Sequence, residues 1–553
     1  MDKPIILTVD DDPQVLRSIA RDLRQKYGDE YSVLRADSGR QALDTLDQLA
    51  DAANPVALLL SDQRMPEMDG VSFLKQARKR FPDAKRALLT AYADTDAAIA
   101  AINESQVDYY LTKPWDPPVD RLYPFVDDLL DDWKAHHKMG YGGVRIVGSR
   151  WMRESHDLRD FLARNQAPYT FLDVEHDDEA KRLAAEVKDH QKELPLVILT
   201  NGEKLYAPTT AELAERLGLK TAPAAQTYDF AIVGGGPAGL AAAVYGASEG
   251  LKTILIEQAA PGGQAGTSSR IENYLGFPSG LSGGDLARRA VTQARRFNVE
   301  ILSPQEICEL RCEGPYKVLR CGGNGKEIQT KALMLATGVK WRKLPAPNAE
   351  QFEGRGLYYG AAMTEAQGME GEDVYVVGAG NSAGQAAVYF SEQHAARVVM
   401  IVRGKTLGEK MSQYLVDRLQ SLPNVEIRLQ SDVTECRGDE HLEFITIRNR
   451  VTNETEEVRT RCLFVFIGAD PNTAWLNSHV ALDDHGFILT GNDIKPDQLK
   501  DWPLDREPYL LEASVPGVFA AGDVRHESIK RVASAVGEGS VAVHFVHRYL
   551  AAS

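Results

Sequence analysis

Cysteine is scarce in this chain of 553 residues: Cys308, Cys312, Cys321, Cys436 and Cys462 are all there are. An odd count without metal-site spacing is what reduced thiols in a cytosol present, not a disulfide framework. Long apolar runs are also missing, and none reaches the length that crosses a bilayer. There is no excess of positive charge. Lys and Arg number 63 against 79 Asp and Glu, a net charge of −16 without a basic stripe, which argues against a nucleic-acid partner. Low-complexity tracts are absent. The opening "MDKPIILTVDDDP" is acidic and turns at once into a strand, so it reads as neither signal nor transit peptide, and a cytoplasmic protein is expected. What remains is an ordinary globular composition, 43% apolar and 26% charged, with room for about four compact units.

The first of these is a βα alternation. Apolar runs "PIILTV", "YSVLRA", "VALLLS", "RALLTA" and "DYYLT" alternate with helix-period segments, which predicts a doubly wound parallel sheet. The site of such a sheet lies beyond the carboxyl ends of its strands. Those ends carry Asp10, Asp11, Asp62, Thr90 and Lys113. Three converging carboxylates repel one another unless a hard cation neutralises them, and Mg²⁺ suits oxygen ligands while keeping open positions for a phosphate. One carboxylate can then take a phosphoryl group. These motifs resemble the receiver domain of two-component response regulators over residues 1–122. The resemblance implies Mg²⁺ on Asp10, Asp11 and Asp62, Asp62 as phosphoacceptor, Thr90 and Lys113 around the new oxygens, and Tyr110 as switch aromatic. It also implies a sensor histidine kinase or other phosphodonor. The acidic, helix-period run "DRLYPFVDDLLDDWKAHHK" reads as the last receiver helix continuing into a helical linker, 123–142, with its carboxylates on a solvated face.

Residues 143–222 run strand, helix, strand, helix, strand, strand, helix, an order that resembles glutaredoxins. Pro195 matches the proline that family places, in cis, before its third strand. Where that family has Trp-Cys-x-x-Cys, this chain has Trp151-Met152-Arg153-Glu154-Ser155. Thiol redox chemistry needs a low-pKa thiolate and a resolving thiol, so a docking or spacer unit is expected, with Trp151 a packed core residue and Pro195 structural, and a retained binding groove beside them as the alternative.

Two glycine turns follow. "YDFAIVGGGPAGLAAAVYGASEGLKTILIE" is strand, turn, helix, strand, with Glu257 at its end. Gly234 suits the tight turn, Gly236 a close approach to a pyrophosphate, Gly239 close helix–strand packing, and Glu257 ribose hydroxyls. "DVYVVGAGNSAGQAAVYFSEQHAARVVMIVRG" repeats the pattern with Gly378, Gly380 and Ala383, but ends on Arg403 with Lys405 two residues on. A cation there favours a 2′-phosphate, hence NADP.

Together with "FVFIGADPNTAWL" and "VPGVFAAGDVRHESIKRVASAVGEGS", these motifs resemble low-molecular-weight thioredoxin reductases over about 325 residues. The resemblance implies FAD on Gly234, Gly236, Gly239, Glu257, Gln264, Asn273 and Asp523, and a homodimer. It places an FAD-binding domain at 223–345 and 465–553 and an NADPH-binding domain at 346–464 inserted in it. The turn Gly537–Gly539 is expected to open a helix beside the flavin. The fold class is therefore α/β throughout: a flavodoxin-like receiver, a thioredoxin-like domain and two Rossmann-like domains.

Three departures from the family stand out. Its Cys-Ala-Thr-Cys falls on Ala361-Ala362-Met363-Thr364, inside "GLYYGAAMTEAQG". Its Arg-Gln-Ala becomes Arg531-Val532-Ala533, and the second arginine of its NADP loop becomes Gly404. Cys308 and Cys312, four apart in an alternating β-pattern, would share a strand face about 13 Å apart, too far for a disulfide. The expected function is an NADPH-dependent FAD oxidoreductase controlled by Asp62 phosphorylation. It would pass electrons to an unidentified external acceptor: a quinone-like or one-electron acceptor, oxygen, or a partner's disulfide. The alternative is a signalling protein that uses bound FAD and NADP(H) as a redox sensor without turnover.

Overall fold

A computed structural model describes the chain except for residues 1–2, 52–53, 92–106, 137–142, 166, 186, 188–192, 269, 278–279, 324, 361–370, 393–394, 410, 477–478, 500–501 and 553. The chain divides into two compact units, Met1–Tyr141 and Gly142–Ser553. Among the described residues no helix is long and apolar enough to cross a membrane.

The first unit holds β1 (Ile5–Val9), β2 (Ser32–Ala36), β3 (Val56–Asp62), β4 (Lys85–Ala91) and β5 (Tyr109–Lys113). They form a parallel sheet in the order β2-β1-β3-β4-β5. β1 and β3 are buried along their whole length, as continuous apolar runs covered on both faces must be. The three aspartates after β1 divide their work. Asp10 is buried and Asp11 exposed, while Asp12 caps the helix Pro13–Tyr27 by accepting the Gln14 N–H at 2.7 Å.

The run expected as the last receiver helix continuing into a linker is a receiver helix as far as His136, where a linker was expected from 123. The helix Tyr123–His136 packs Val126, Leu129, Leu130 and Trp133 into the same core as Ile6, Leu58 and Leu60. Its acidic face is not merely solvated either. Asp127 accepts from Tyr27 Oη at 2.8 Å and from Lys26 Nζ at 2.5 Å, and Asp132 lies 3.7 Å from Lys85. Alternating acid and apolar residues read as a solvent-facing helix because the partners Lys26, Tyr27 and Lys85 are far away in sequence.

The second unit begins with β6 (Val144–Gly148), β7 (Tyr169–Asp173), β8 (Leu196–Ile198) and β9 (Lys204–Tyr206). Their order is β7-β6-β8-β9, with only the first pair parallel. The Leu194–Pro195 bond before β8 is cis. The helix Arg153–Arg164 buries Ser155, Leu158, Phe161 and Leu162, a helical-period stripe against this sheet.

A seven-stranded sheet follows, built from β10 (Thr227–Val233), β11 (Thr253–Ile256), β12 (Glu300–Leu302), β13 (Ile307–Glu313), β14 (Tyr316–Cys321), β15 (Glu327–Leu335) and β26 (Val518–Ala520). Between its halves in sequence lies a five-stranded parallel sheet: β17 (Leu357–Tyr359), β18 (Asp373–Val377), β19 (Arg397–Ile401), β20 (Val425–Arg428) and β24 (Leu463–Val465). Ahead of β24, β21 (Ser431–Gly438), β22 (Leu442–Asn449) and β23 (Thr455–Arg459) form an antiparallel meander. β16 (Val339–Trp341) and β25 (Ala469–Pro471) pair antiparallel as a two-stranded ribbon where the chain passes from one large sheet to the other and back. β13 carries an irregularity between Ile307 and Glu309, so Cys308 sits at a bulge and the regular alternation expected to align it with Cys312 is broken.

Because Trp133 is fully buried, Trp133→Ala should destabilise the first unit by about 3–5 kcal/mol. Native-state hydrogen exchange at β1 and β3 in the full chain checks this. A loose connector helix would leave those amides unchanged.

Candidate functional site

In the first unit, the carboxyl ends of β1, β3 and β5 bring Asp10, Asp62 and Lys113 together. Lys113 Nζ donates to Asp10 Oδ2 at 2.6 Å and to Asp62 Oδ1. Asp10 Oδ1 accepts the Asp12 N–H at 3.0 Å, and Asp62 Oδ2 accepts the Arg64 N–H at 2.9 Å. Burial pushes the Asp10 carboxyl above its usual range, against the bonds from Lys113 and Asp12 that favour its ionised form. Burial alone would lower Lys113, yet its two carboxylate partners outweigh that and hold the ammonium above its ordinary value. Thr90 stands half-buried on β4, one residue from the strand's end. Asp11 does not join this cluster: it is exposed, and no group of three carboxylate, His or Cys side chains is poised for a metal among the described residues. The Tyr110 side chain lies outside the described residues.

In the second unit, backbone approaches backbone at the turn after β10. Gly263, at φ +56°, lies so close that a Cβ on it would come 2.9 Å from the Gly236 Cα. The Gly262 N–H donates to the Gly235 carbonyl at 2.7 Å. A Cβ on Gly239 would stand 1.9 Å from the Gly234 carbonyl oxygen, so the helix Pro237–Ser248 can lie this close to β10 only without a side chain there. The N-terminus of that helix, with its unpaired N–H groups, opens at Gly236. Glu257 is buried just after β11 and accepts N–H bonds from Gly235 at 2.7 Å and Ala259 at 2.9 Å. Each of its oxygens keeps acceptor capacity for a ribose hydroxyl.

Gln264 turns its amide to the Val339 carbonyl, and Asn273 is exposed. Asp523 is half-buried, its carboxyl raised by burial, with Lys530 opposing and Glu538 adding to the shift. A carboxylate that can accept from hydroxyls, beside a glycine-lined helix N-terminus whose N–H groups can donate to a pyrophosphate, suits a polyhydroxyl chain and its phosphates, so these residues fit FAD. Sequence reasoning missed Glu538. It accepts the Gly522 N–H at 2.7 Å and Arg525 Nη2 at 2.7 Å, bracing the residue before Asp523. The signal was the "GEG" at 537–539. That stretch is not a helix-opening turn, as expected, but lies within the helix Val532–Ala552.

The second glycine turn follows β18. Gly378 is at φ +147° with the Phe466 carbonyl oxygen 2.5 Å from where a Cβ would be, Gly380 faces open space, and Ala383 is fully buried in the helix Asn381–Glu392. Arg403 and Lys405 are exposed beyond β19 and make no ion pair among the described residues. The emptied dithiol position, Ala361–Thr364, lies outside the described residues.

Burial works against the thiolate form at four of the cysteines. Burial raises Cys321 to about 11 and Cys436 to about 12, lifts Cys462 further still, and also raises Cys312. Trp151 corrects another expectation. It is not a core residue of its own sheet but stacks on His441, ring centroids 5.2 Å apart.

Residues 228–539 match the model of the pyridine nucleotide-disulphide oxidoreductase family, and residues 6–121 match that of the response regulator receiver domain. A thioredoxin reductase of Peptoclostridium acidaminophilum is 32% identical over 332 residues, covering 59% of this chain and 98% of that protein. A thioredoxin reductase of Bacillus subtilis is 31% identical over 324 residues, covering 58% of this chain and 95% of that one. The solved thioredoxin reductase of Lactococcus lactis superposes with a TM-score of 0.52 at 27% identity, covering 59% of this chain and all of that one.

A half-buried carboxylate whose charged form is disfavoured by desolvation costs stability until a ligand satisfies it. The folded-state pKa of Asp523 lies above its unfolded value, so the penalty is present at neutral pH and disappears as pH falls to about 4, where the unfolded group also protonates. Asp523→Asn should therefore raise the thermal midpoint of the FAD-free protein at pH 7, with the gain vanishing near pH 4, while weakening FAD binding. Thermal melts across pH, paired with FAD titration, read both effects.

Proposed function

The chain belongs to the pyridine nucleotide-disulphide oxidoreductases and carries a response regulator receiver domain, and from that premise we propose an NADPH-dependent FAD oxidoreductase under phosphorylation control. It is a flavoprotein oxidoreductase of thioredoxin-reductase type. The observation that carries the proposal is a pair of glycine turns in one chain. One faces a buried acid suited to FAD, the other two exposed cations suited to a 2′-phosphate.

FAD bound here would take a hydride from the nicotinamide and hold the two electrons for a second reactant. The chain's residues bind and orient. Gly234, Gly236 and Gly239 bring main-chain donors to the pyrophosphate, and Glu257 and Asp523 accept from hydroxyls, with Gln264 and Asn273 flanking. Gly378, Gly380 and Ala383 shape the nicotinamide nucleotide's turn, and Arg403 and Lys405 neutralise its phosphate. No Cys-x-x-Cys stands in the chain to take the electrons, so they would leave to an external acceptor: a quinone-like or one-electron acceptor, oxygen, or a disulfide brought by a partner. The chain acts as a homodimer.

In the receiver, an Asp62 carboxylate oxygen attacks the phosphorus of a phosphodonor such as a histidine kinase; the O–P bond forms as the donor's bond to phosphorus breaks. Mg²⁺ would be held by Asp10, Asp62 and Asp11, the last having to turn inward, and would neutralise the converging charges. Lys113 and Thr90 then hold the phosphoryl oxygens. Losing one Lys113–Asp62 contact to the phosphoryl group biases the receiver between two states, with Tyr110 as the reporter side chain.

The second reading, a redox sensor without turnover, draws support from the same missing dithiol. Anaerobic mixing of the FAD-loaded protein with NADPH separates the two. The enzyme reading expects rapid loss of flavin absorbance and turnover once an acceptor is added, and a changed rate after treatment with a small phosphodonor and Mg²⁺. Asp62→Asn should abolish that change. An unreduced flavin favours the sensor, and a phosphodonor effect that survives in Asp62→Asn removes the regulatory claim.

A further inference from the structure

The thiol-less small sheet, 144–206, does not stand apart from the nucleotide-binding sheets. The helix Arg153–Arg164 touches one of them at each end. Its twelve residues span about 18 Å. At its start, Arg153 and His156 pack on Gly354, where a Cβ would meet Arg153 Cγ at 3.3 Å and His156 Cδ2 at 3.5 Å. The His156 ring lies 5.4 Å from that of Tyr358 on β17, and Tyr358 stacks in turn on Phe464 of β24. Just ahead of the helix, the Trp151 indole lies against His441, tilted by 24°, and the Arg461 guanidinium sits 5.7 Å from the indole centre.

At the other end of the helix, Arg164 Nη2 donates to the carbonyls of Ala260 at 3.3 Å and Gly263 at 3.5 Å, with Asp160 3.6 Å away. Gly263 is the residue pressed against Gly236 in the FAD turn. The small sheet's exit is fastened to the same side: the Lys220 carbonyl accepts the Ser303 N–H at 3.0 Å, and Glu300 accepts that of Ala224 at 2.6 Å.

The chain passes between the two nucleotide sheets through the ribbon β16–β25, and two strands alone make a weak, pliable link. A body fixed to one sheet at two places and stacked on the other through Trp151 and His156 adds a second, lateral link. We infer that this thiol-less unit is an intramolecular strut: the face that would carry redox thiols, at Trp151–Ser155, is instead a docking surface for residues 354–358, 441 and 461. The strut sets the angle between the FAD and nicotinamide sheets. Trp151 and His441 are positioning residues, and neither touches a reacting atom.

The inference rests on the reading of 346–464 as the nicotinamide half. Its test needs no nucleotide turnover, so failure of either is distinguishable. Spin labels on Arg296→Cys, at the end of the helix Gly283–Arg296 in the FAD half, and Thr455→Cys, on the meander strand β23 of the other half, both exposed, in a Cys308→Ser/Cys312→Ser background report the distance between the two halves in the FAD-loaded full chain. One narrow distance distribution is expected. Trp151→Ala and His441→Ala should each broaden it roughly twofold, as release of a lateral link onto a hinge does, and His441→Phe, which keeps a ring on the indole, should restore the narrow form. Because His441 lies outside the small sheet, His441→Ala remains informative if Trp151→Ala unfolds that unit. Unchanged distributions in His441→Ala, or broadening that His441→Phe does not reverse, overturn the strut.

Discussion

Two stretches of main chain meet without side chains between them at Gly236 and Gly263, and much of the second unit is arranged around that contact. A single methyl group on Gly263 would reach 2.9 Å from the opposing Cα. The contact leaves the N-terminus of the helix Pro237–Ser248 open and faces it with Glu257, so an anion and hydroxyls can both be satisfied there. The same helix is held down by further close approaches. Gly239 lies under Gly234, and a Cβ on Gly539 would come 2.2 Å from the Ala238 carbonyl oxygen, which fixes where the C-terminal helix crosses. The carbonyl of Gly263, turned outward, is left for Arg164. The cofactor turn, the last helix and the small sheet therefore share one backbone constraint.

Electrostatics plays the corresponding part in the first unit. Asp10 and Asp62 are drawn toward one ammonium, and their bonds to Lys113 outweigh the burial that would lower its pKa. Such a triad is poised, since a group that replaces one carboxylate contact of Lys113 changes the balance of the other. The thiols show the opposite use of burial. Cys436 and Cys462 are wrapped in apolar side chains that keep them neutral, so the chain retains a reductase frame with its sulfur chemistry suppressed.

Much of this was legible in the sequence because glycine and strand-end residues report backbone geometry directly. Gly234, Gly236 and Gly239 could be assigned jobs from spacing alone, and Asp10, Asp62 and Lys113 from their places at strand ends. What escaped were relations between residues far apart. The run 123–136 reads as an acidic connector until Lys26 and Tyr27 are seen against it. Trp151 reads as a core residue because nothing local says that His441, some 290 positions on, will stack over it. The bulge at Cys308 breaks an alternation that the letters alone suggest, and Glu538 reads as part of a glycine turn although it is a helix residue bonded to Gly522 and Arg525. Arg164 carried no motif at all.

The central claim is that bare backbone contact at Gly236 and Gly263 builds the flavin cradle. Its most direct measurement is the flavin content of Gly263→Ala compared with the parent, read as visible absorbance after reconstitution with FAD and desalting. The account predicts a yellow parent with stoichiometric FAD and a folded variant that emerges nearly colourless. A variant that folds and retains FAD as fully as the parent would contradict it.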